Sequence, residues 1–197
     1  LPTPAEKPQC PAFLNEVAAT AKAMGPLPIG IGLCELVSLD GEIASSHRIA
    51  WTAEELRDAF QFAPKLAFDA DVRLAAAAEA RFGAGRNHAH WIYANIGTGV
   101  ATVLMVNGQP YSGAHGLGMA FGMSPVSLTE NGPSLTIEDM SGAAGMVKRA
   151  AASGGRFASM QDLLAPAPQD AATARKVIAE GAAVAGRALA WLANMLD

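Results

Sequence analysis

The chain is poor in the side chains that most often reveal a function directly. Of its 197 residues only two are cysteines, Cys10 and Cys34, and only four are histidines. Two isolated cysteines fit neither a disulfide framework nor a metal-binding pattern, so a cytoplasmic protein with free thiols is the simplest interpretation. The histidines share no spacing with carboxylates or cysteines, and we therefore expect no metal site.

The sequence also lacks long basic runs and long apolar runs. The 14 Lys and Arg residues are fewer than the 18 Asp and Glu residues and form no cluster, so this segment offers no basic surface to nucleic acid or to an anionic membrane. No apolar run approaches the roughly 20 residues that span a bilayer. The opening residues, LPTPAEKPQ, lack the basic and then apolar plan of a signal peptide and read as a chain entered part-way along.

The composition that remains is that of a folded protein. Hydrophobic residues make up 51% of the chain and charged residues 16%, which argues against disorder. A chain of this length can form one large domain or two small ones and can bury about two-thirds of the surface that it exposes when unfolded. We therefore expect a packed core.

Hydrophobic periodicity predicts alternating helices and strands. The predicted helices are residues 11–24, residues 52–62, an alanine-rich helix after Asp71 that ends at Gly83, residues 136–151 and residues 170–196. The predicted strands are Ile29–Leu33, a short strand into Phe68, Trp91–Ile96 and Val100–Val106. Tight turns are predicted at Asp40-Gly41 and Asn107-Gly108, and a capping box is predicted at residues 52–55.

Two features in this pattern could carry chemistry. The turn Gly97-Thr98-Gly99 joins two apolar strands, and its amides could cradle a phosphate, although glycines are also used in strand turns for conformation alone. Asp71 lies where a strand gives way to a helix, so it could take a proton from a substrate hydroxyl or simply cap the helix. His115 is the only histidine within a glycine-rich turn, which makes it a candidate substrate contact.

Four segments, read in order, resemble the ROK family of bacterial sugar kinases and sugar-responsive transcriptional repressors. They are IGIGLCELVSLDGEI, FDADVRLAAAAEARFGAG, IYANIGTGVATVLMVNGQPYSGAHGLGMAFGM and TIEDMSGAAGMVKRA. The resemblance implies an α/β protein with an actin-like, hexokinase-like fold, in which two domains of RNase H type enclose sugar and nucleotide. On this basis residues 1–69 are the remainder of the first domain and residues 70–197 are the second domain with a dimer surface. The family's amino-terminal Asp-x-Gly-Gly-Thr motif and its adenine-side segment are not found in the chain.

The resemblance also assigns roles to individual positions. The family's Asn-Asp pair falls on Ala70-Asp71, so Asp71 is the presumed catalytic base without its sugar-binding neighbour. The phosphate turn of the family is kept as Gly97, Thr98 and Gly99. The family's Gly-Glu-x-Gly-His signature falls on residues 119–123, Met-Ala-Phe-Gly-Met, which has lost both polar side chains. The apolar residues there are expected to form core or an interface rather than a new apolar pocket.

Two further positions complete the comparison. Glu138 falls where the family has a Glu after its cysteine-rich zinc loop, which makes it a candidate sugar contact. The loop itself is replaced by a segment without cysteine, so no structural zinc is expected. The family's Pro-Gly at the sugar edge of the first domain is Cys34-Glu35, which predicts a bulky charge where backbone normally approaches the ligand.

The changes weaken sugar recognition more than they weaken the scaffold. Each charge-assisted hydrogen bond contributes about 1.5–3 kcal/mol, so the loss of a Glu, a His and an Asn could lower sugar affinity about a thousand-fold. The chain is therefore interpreted as a catalytically impaired, sugar-sensing or dimerising part of a ROK-type transcriptional regulator. The alternative is an ATP-dependent kinase of a hexose or amino sugar, with Asp71 as base and ATP and magnesium as cofactors; a structural paralogue that pairs with an active partner is a third possibility. A homodimer is expected in each case.

Overall fold

The computed structural model describes residues 9–118, 120–127 and 134–196, which fold into two compact units. The first unit is Leu1–Tyr93 with Val103–Met119, and the second is Ala94–Thr102 with Ala120–Asp197. The division predicted between residues 69 and 70 concerns the domains of the family fold and stays a prediction.

The elements follow the predicted alternation. The helices are α1 (Cys10–Ala23), α2 (Ala53–Ala59), α3 (Asp71–Phe82), α4 (Ile137–Ser141), α5 (Ala143–Ala152), α6 (Met160–Leu164) and α7 (Ala171–Leu196). The strands are β1 (Ile29–Leu33), β2 (Leu66–Ala70), β3 (His90–Ile96), β4 (Val100–Val106), β5 (Gln109–Pro110), β6 (Pro125–Ser127) and β7 (Leu135–Thr136). Short 3₁₀ segments are formed by Ala84–Asn87, Phe121–Met123 and Pro168–Asp170.

Parallel pairing of β1 with β2 is the feature that positions the candidate site of the first unit. The register runs from Ile29 opposite Leu66 to Leu33 opposite Ala70, so both carboxyl ends lie at one edge. The hydrophobic core of the first unit is formed by residues of α1, of β1 and the turn after it, and of α2. Leu33 and Leu56 are almost fully buried in this core. β3, β4 and β5 form a separate three-stranded sheet in that order.

Small hydrophobic clusters hold the helices of the second unit. Val100, Ile137 and Val184 join β4, α4 and α7, and Phe121 packs against this cluster. A second cluster around Leu163 and Ala174 joins α5, α6 and α7. The small side chains along α7 allow its close approach to α4, because a methyl group on Gly181 would lie 2.7 Å from the carbonyl oxygen of Met140.

Local sequence signals account for most element boundaries. The capping box at Thr52 is present, since Thr52 Oγ1 accepts from the amide of Glu55 and Glu55 accepts from the amide of Thr52. The turn after β4 has positive φ at both Asn107 and Gly108, as a two-residue hairpin turn requires. The turn at Asp40-Gly41 is confirmed as a narrow hairpin with a single bridge, Val37 to Ile43.

Two boundaries differ from the prediction. α2 ends at Ala59, not at residue 62: Phe60, whose side chain is buried, has φ of −108° and ψ of 18°, which lies outside helical geometry. The predicted helix over residues 136–151 is two helices, α4 and α5, separated at Gly142. Gly142 has extended backbone geometry. A Cβ added at Gly142 would lie 2.9 Å from the carbonyl oxygen of Thr98, so no side chain fits there.

Candidate functional site

Asp71 stands at the edge where β1 and β2 end. It follows β2 directly as the first residue of α3, and it is exposed. A Cβ on Gly32 of β1 would lie 3.6 Å from the Cα and Cβ atoms of Asp71, so the start of α3 lies within van der Waals distance of the end of β1. Open parallel sheets bind ligands beyond the carboxyl ends of their strands, which is the position that Asp71 occupies.

The helix-capping alternative for Asp71 does not describe its geometry. The residue that precedes the helix is Ala70, which has no side chain to cap with, and Asp71 Oδ1 accepts from the adjacent amide of Val72 at 2.7 Å. The carboxylate therefore remains available to a molecule at the sheet edge. Its role as a general base stays a prediction.

Glu35 is buried rather than exposed at this edge. One carboxylate oxygen accepts from Ser45 Oγ at 2.5 Å and from the amide of His47 at 2.8 Å. The other accepts from the amides of Arg48 and Ile49, at 2.5 and 2.8 Å. The sequence predicted a bulky charge at the ligand edge. The carboxylate of Glu35 instead faces the loop of residues 45–49, where it accepts four hydrogen bonds.

The environment of Glu35 and Cys34 sets their protonation. Burial acts to raise the pKa of Glu35, but the hydrogen bonds from Ser45 and from the loop amides outweigh it and lower the pKa. The pKa of the Cys34 thiol is raised, first by partial burial of the sulfur and then by the carboxylates of Glu35 and Asp71. Cys34, exposed as a residue, is therefore a thiol rather than a thiolate near Asp71 at neutral pH.

Asp69 and Arg73 form a second polar group in the first unit. Arg73 donates to Asp69 through both Nε and a terminal nitrogen, and two further terminal N–H groups reach the carbonyl oxygens of Val37 and Gly116. The side chain of Arg73 is only 12% exposed. This guanidinium ties β2, the turn after β1 and the glycine-rich loop of residues 111–118 together.

The glycine turn of the second unit, Gly97-Thr98-Gly99, is closed by its own backbone, and its predicted contact with phosphate stays a prediction. The amide of Gly97 donates to the carbonyl oxygen of Gly99 at 2.9 Å, which closes the turn. The amides of Thr98 and Gly99 have no acceptor within the described ranges, and Thr98 is exposed. Two adjacent free amides and a hydroxyl are the donors that an anion requires.

Glu138 supports this turn. Its Oε2 atom accepts from the amide of Val100 at 2.9 Å, and a Cβ on Gly99 would lie only 2.3 Å from the same oxygen. The first amides of α5, those of Ala143 and Ala144, donate to the carbonyl oxygens of the turn residues at 2.9 and 3.1 Å. The structure thus engages one carboxylate oxygen of Glu138 in holding the backbone after the turn; its predicted contact with sugar stays a prediction.

The remaining candidate positions contribute apolar or unpaired groups. Ala120 and Met123 are exposed, with Met123 at 56%, whereas Phe121 packs into the core of its unit. Met119 lies outside the described residues. His115 is exposed in the first unit and forms no hydrogen bond within the part of the chain described, so its role also stays a prediction.

The sequence named the candidate positions but did not predict the role of Arg73 or the loop donors to Glu35. Arg73 lies four residues after Asp69, but Asp69 is on β2 and Arg73 is on α3, so the helical spacing rule did not point to the pair. The donors to Glu35 lie 10 to 14 residues away in an irregular loop, and no local pattern points to them. Among the described residues no group of three or more His, Cys, Asp or Glu side chains could hold a metal ion. None of the described helices is long and apolar enough to cross a membrane.

A parallel strand pair that ends in an acidic helix start, and a glycine turn between two strands of the second unit, belong to a mixed α/β protein. The ROK family model matches residues 10–197. The chain belongs to the ROK family. A comparison with curated proteins found no match.

Solved structures show the same fold at low sequence identity. A ROK family glucokinase from Streptomyces griseus, in complex with glucose and AMPPNP, is 22% identical with a TM-score of 0.76, over 100% of this chain and 71% of that chain. The ROK hexokinase from Thermus thermophilus is 21% identical with a TM-score of 0.69, over 100% and 70%. A ROK family transcriptional regulator, a homologue of the Escherichia coli MLC protein, is 20% identical with a TM-score of 0.71, over 96% and 54%. The actin-like, hexokinase-like fold expected from the sequence is thereby confirmed.

Proposed function

We propose that this chain is the kinase-like, sugar-sensing or dimerising part of a ROK-type transcriptional regulator with impaired catalysis. The observation that carries the proposal is the pair of exposed apolar residues, Ala120 and Met123, at the positions where the resemblance implies a sugar-binding Glu and His. Apolar side chains cannot exchange hydrogen bonds with sugar hydroxyls, so a family-typical hexose loses charge-assisted contacts. Phosphoryl transfer depends on precise positioning of the acceptor hydroxyl. The rate of transfer to a weakly bound sugar is therefore expected to be low.

The retained features fit a binding role. Asp71 is exposed at the sheet edge, and the glycine turn offers free amides at Thr98 and Gly99. The glucokinase neighbour is described in complex with glucose, and another ROK family neighbour in complex with sucrose, which supports a carbohydrate as the ligand class here. A homodimer and a cytoplasmic location are part of the same proposal.

The second candidate function is an ATP-dependent kinase of a hexose or amino sugar. It is favoured by Asp71, which is exposed and whose carboxylate, among the described residues, accepts a hydrogen bond only from the adjacent amide of Val72, so it can still accept a proton from a substrate hydroxyl. Under this alternative Gly97, Thr98 and Gly99 contact phosphate, and ATP and magnesium are required.

One experiment separates the two functions. The chain, and any longer product of the same gene, are incubated with ATP, magnesium and a panel of hexoses and amino sugars, and sugar phosphate is measured beside titration calorimetry with the same sugars. We expect heat for one carbohydrate in the native chain without formation of sugar phosphate. Turnover at the roughly 1–100 s⁻¹ of ordinary kinases, abolished in Asp71→Asn, would establish the kinase instead.

The reading frame upstream of Leu1 gives an independent test. A helix-turn-helix encoded there supports the regulator, because such a motif places a recognition helix in the major groove of DNA. An Asp-x-Gly-Gly-Thr strand at the true amino terminus supports the kinase. Calorimetry without heat for any carbohydrate would contradict both and favour the paralogue that only pairs with an active partner.

A further inference from the structure

The first unit contains a cavity of about 250 Å³ that the proposed function does not use. Its wall is formed by the turn after β1, the end of β2, the first turn of α3 and the start of the 111–118 loop. The lining residues are Val37, Ser38, Leu39, Phe68, Asp69 and Ser112, together with Arg73 and Gly41. The candidate base Asp71 and His115 are not among them.

We propose that this cavity is a second binding site, for a small neutral polyhydroxylated molecule such as a cyclic polyol or a single sugar ring. The proposal does not depend on the function proposed above, because none of its lining residues is a candidate kinase residue. Its size is below the about 300–1,000 Å³ of sites for drug-sized ligands, which limits the occupant to one ring.

The walls of the cavity are fixed before any ligand arrives. Arg73 uses four of its five N–H donors on Asp69 and on the carbonyl oxygens of Val37 and Gly116, so a single side chain holds three walls. Arg57 also holds the turn, through the carbonyl oxygen of Gly41. Pre-organised walls lower the ordering cost of binding.

The 111–118 loop packs closely against the turn after β1. Gly116 has φ of +80°, and a Cβ there would lie 2.4 Å from the amide nitrogen of Leu39. Only glycine allows this approach, so the distance between the Ser38 and Ser112 sides of the cavity is set by backbone packing.

The charges around the cavity cancel, which excludes an ionic ligand as the preferred occupant. Asp69 is paired with Arg73, and Arg57 is paired with Glu42 at 3.5 Å. A phosphate would find no free cation among the lining residues, since the guanidinium of Arg73 is already committed. A cation would have to compete with Arg73 for Asp69.

The polar atoms that remain suit hydroxyl groups. Ser112 Oγ and Asp69 Oδ2 have no hydrogen-bond partner in the described part of the chain, and one can donate while the other accepts. Phe68 and Leu39 supply apolar wall, and Leu39 is 62% exposed at the rim. Alternating hydroxyl and C–H faces are the chemistry of a polyol ring, which pairs with such a mixed wall.

The test uses ¹H–¹⁵N NMR of the whole chain titrated with myo-inositol, D-glucose and glucose 6-phosphate. We expect saturable shifts at the amides of Ser38 and Ser112 and at the Arg73 Nε–H group for the two neutral probes. Glucose 6-phosphate is expected to bind no more tightly than glucose. The shifts should persist in Asp71→Asn, which separates this cavity from the site at the sheet edge.

Two variants of the same loop provide the control. Ser112→Leu fills the cavity and removes its hydroxyl, so affinity should fall about tenfold or more. Ala114→Leu adds similar bulk at an exposed position that does not line the cavity, and affinity should be unchanged. If Ser112→Leu does not fold, Ser112→Ala is used, with an expected loss of about fivefold from one hydrogen bond.

The proposal is overturned by any of three results. These are no saturable shift with either neutral probe, equal affinity in the native chain and the Ser112 variant, or binding of glucose 6-phosphate at least about tenfold tighter than glucose, which would reveal an anion site.

Discussion

At the scale of single residues, the most informative side chain is Glu35. The residue is 4% exposed, and its carboxylate accepts from Ser45 Oγ and from three successive amides of the following loop. A glycine at this position, as the family resemblance implies, would leave those amides to find water or a ligand. Glu35 thus supplies an internal anion to a loop that would otherwise need other acceptors.

We expect Glu35→Gln to lower the free energy of unfolding at neutral pH by about 1–3 kcal/mol, because the neutral amide accepts fewer of the four hydrogen bonds. The folded-state pKa of Glu35 lies below its ordinary value of 4.5, so its stabilisation is complete above about that pH and is lost as the pH falls through the folded-state pKa. Urea unfolding at several pH values measures both effects.

Glu16→Gln is the matched control, since Glu16 is exposed on α1 and its side chain makes no hydrogen bond among the described residues. Stability should be unchanged in this variant, and its loss of stability on acidification below the ordinary glutamate pKa should parallel that of the native chain. An equal acid dependence in Glu35→Gln and the native chain would show that Glu35 is not the titrating group.

At the scale of elements, the segment from β4 to α5 shows how the glycine turn of residues 97–99 is held in place. Glu138 on α4 and the first amides of α5 both bond to the backbone around residues 97–100, so two helices position one turn. The separation of α4 from α5 at Gly142 belongs to the same arrangement, since the chain must pass beside Thr98 there. A side chain at Gly99 would collide with Glu138, whereas a side chain at Gly97 would meet no close neighbour.

This difference predicts unequal effects of two alanine substitutions on the free energy of unfolding. Gly99→Ala places a methyl group 2.3 Å from Glu138 Oε2 and should displace its bond to Val100, with a loss of about 1–3 kcal/mol in the free energy of unfolding. Gly97→Ala meets nothing closer than Asn95 Oδ1 at 3.7 Å, so its effect should stay within about 0.5 kcal/mol. Thermal unfolding of both variants, followed by circular dichroism, provides the comparison. Equal losses would mean that conformation, not the contact with Glu138, requires the glycines.

The elements also show what the sequence can predict. Turns and caps depend on residues adjacent in the chain, which is why Asn107-Gly108 and the Thr52 capping box were found. The individual strands and the alanine-rich helix were predicted from the sequence pattern, whereas the parallel pairing of β1 with β2 was not. The bond from the Val100 amide to Glu138 spans 38 residues, and Gly142 breaks a helix for a contact with Thr98. Such long-range contacts leave no local signal, so the structural bond of Glu138 and the broken helix were not predictable.

A second prediction at this scale concerns the cap of α2. Thr52→Ala removes the acceptor of the Glu55 amide and should cost about 1 kcal/mol of stability. Thr52→Ser keeps the hydroxyl and is the control, with an expected stability near that of the native chain. Chemical denaturation of both variants measures the difference, and equal losses would indicate that the methyl group, not the hydroxyl, matters.

At the scale of the whole molecule, the two units carry different parts of the candidate machinery. Asp71 and the sheet edge belong to the first unit, and the glycine turn with Glu138 belongs to the second. Each unit has its own hydrophobic clusters, so the scaffold does not depend on the polar residues that the family uses for sugar. Apolar residues at positions 120 and 123, where the resemblance implies a Glu and a His, are therefore compatible with a stable fold.

The proposed loss of sugar contacts can be reversed experimentally. Because Ala120 and Met123 are exposed, the double substitution Ala120→Glu with Met123→His should fold at little cost. If two charge-assisted hydrogen bonds to sugar are restored, affinity for glucose should rise about a hundredfold or more in calorimetry. Val126→Glu, at an exposed position beyond the 3₁₀ segment at Phe121–Met123, adds a similar charge and should leave affinity unchanged. A folded double variant that binds glucose no better than the native chain would show that these two positions do not account for weak sugar binding.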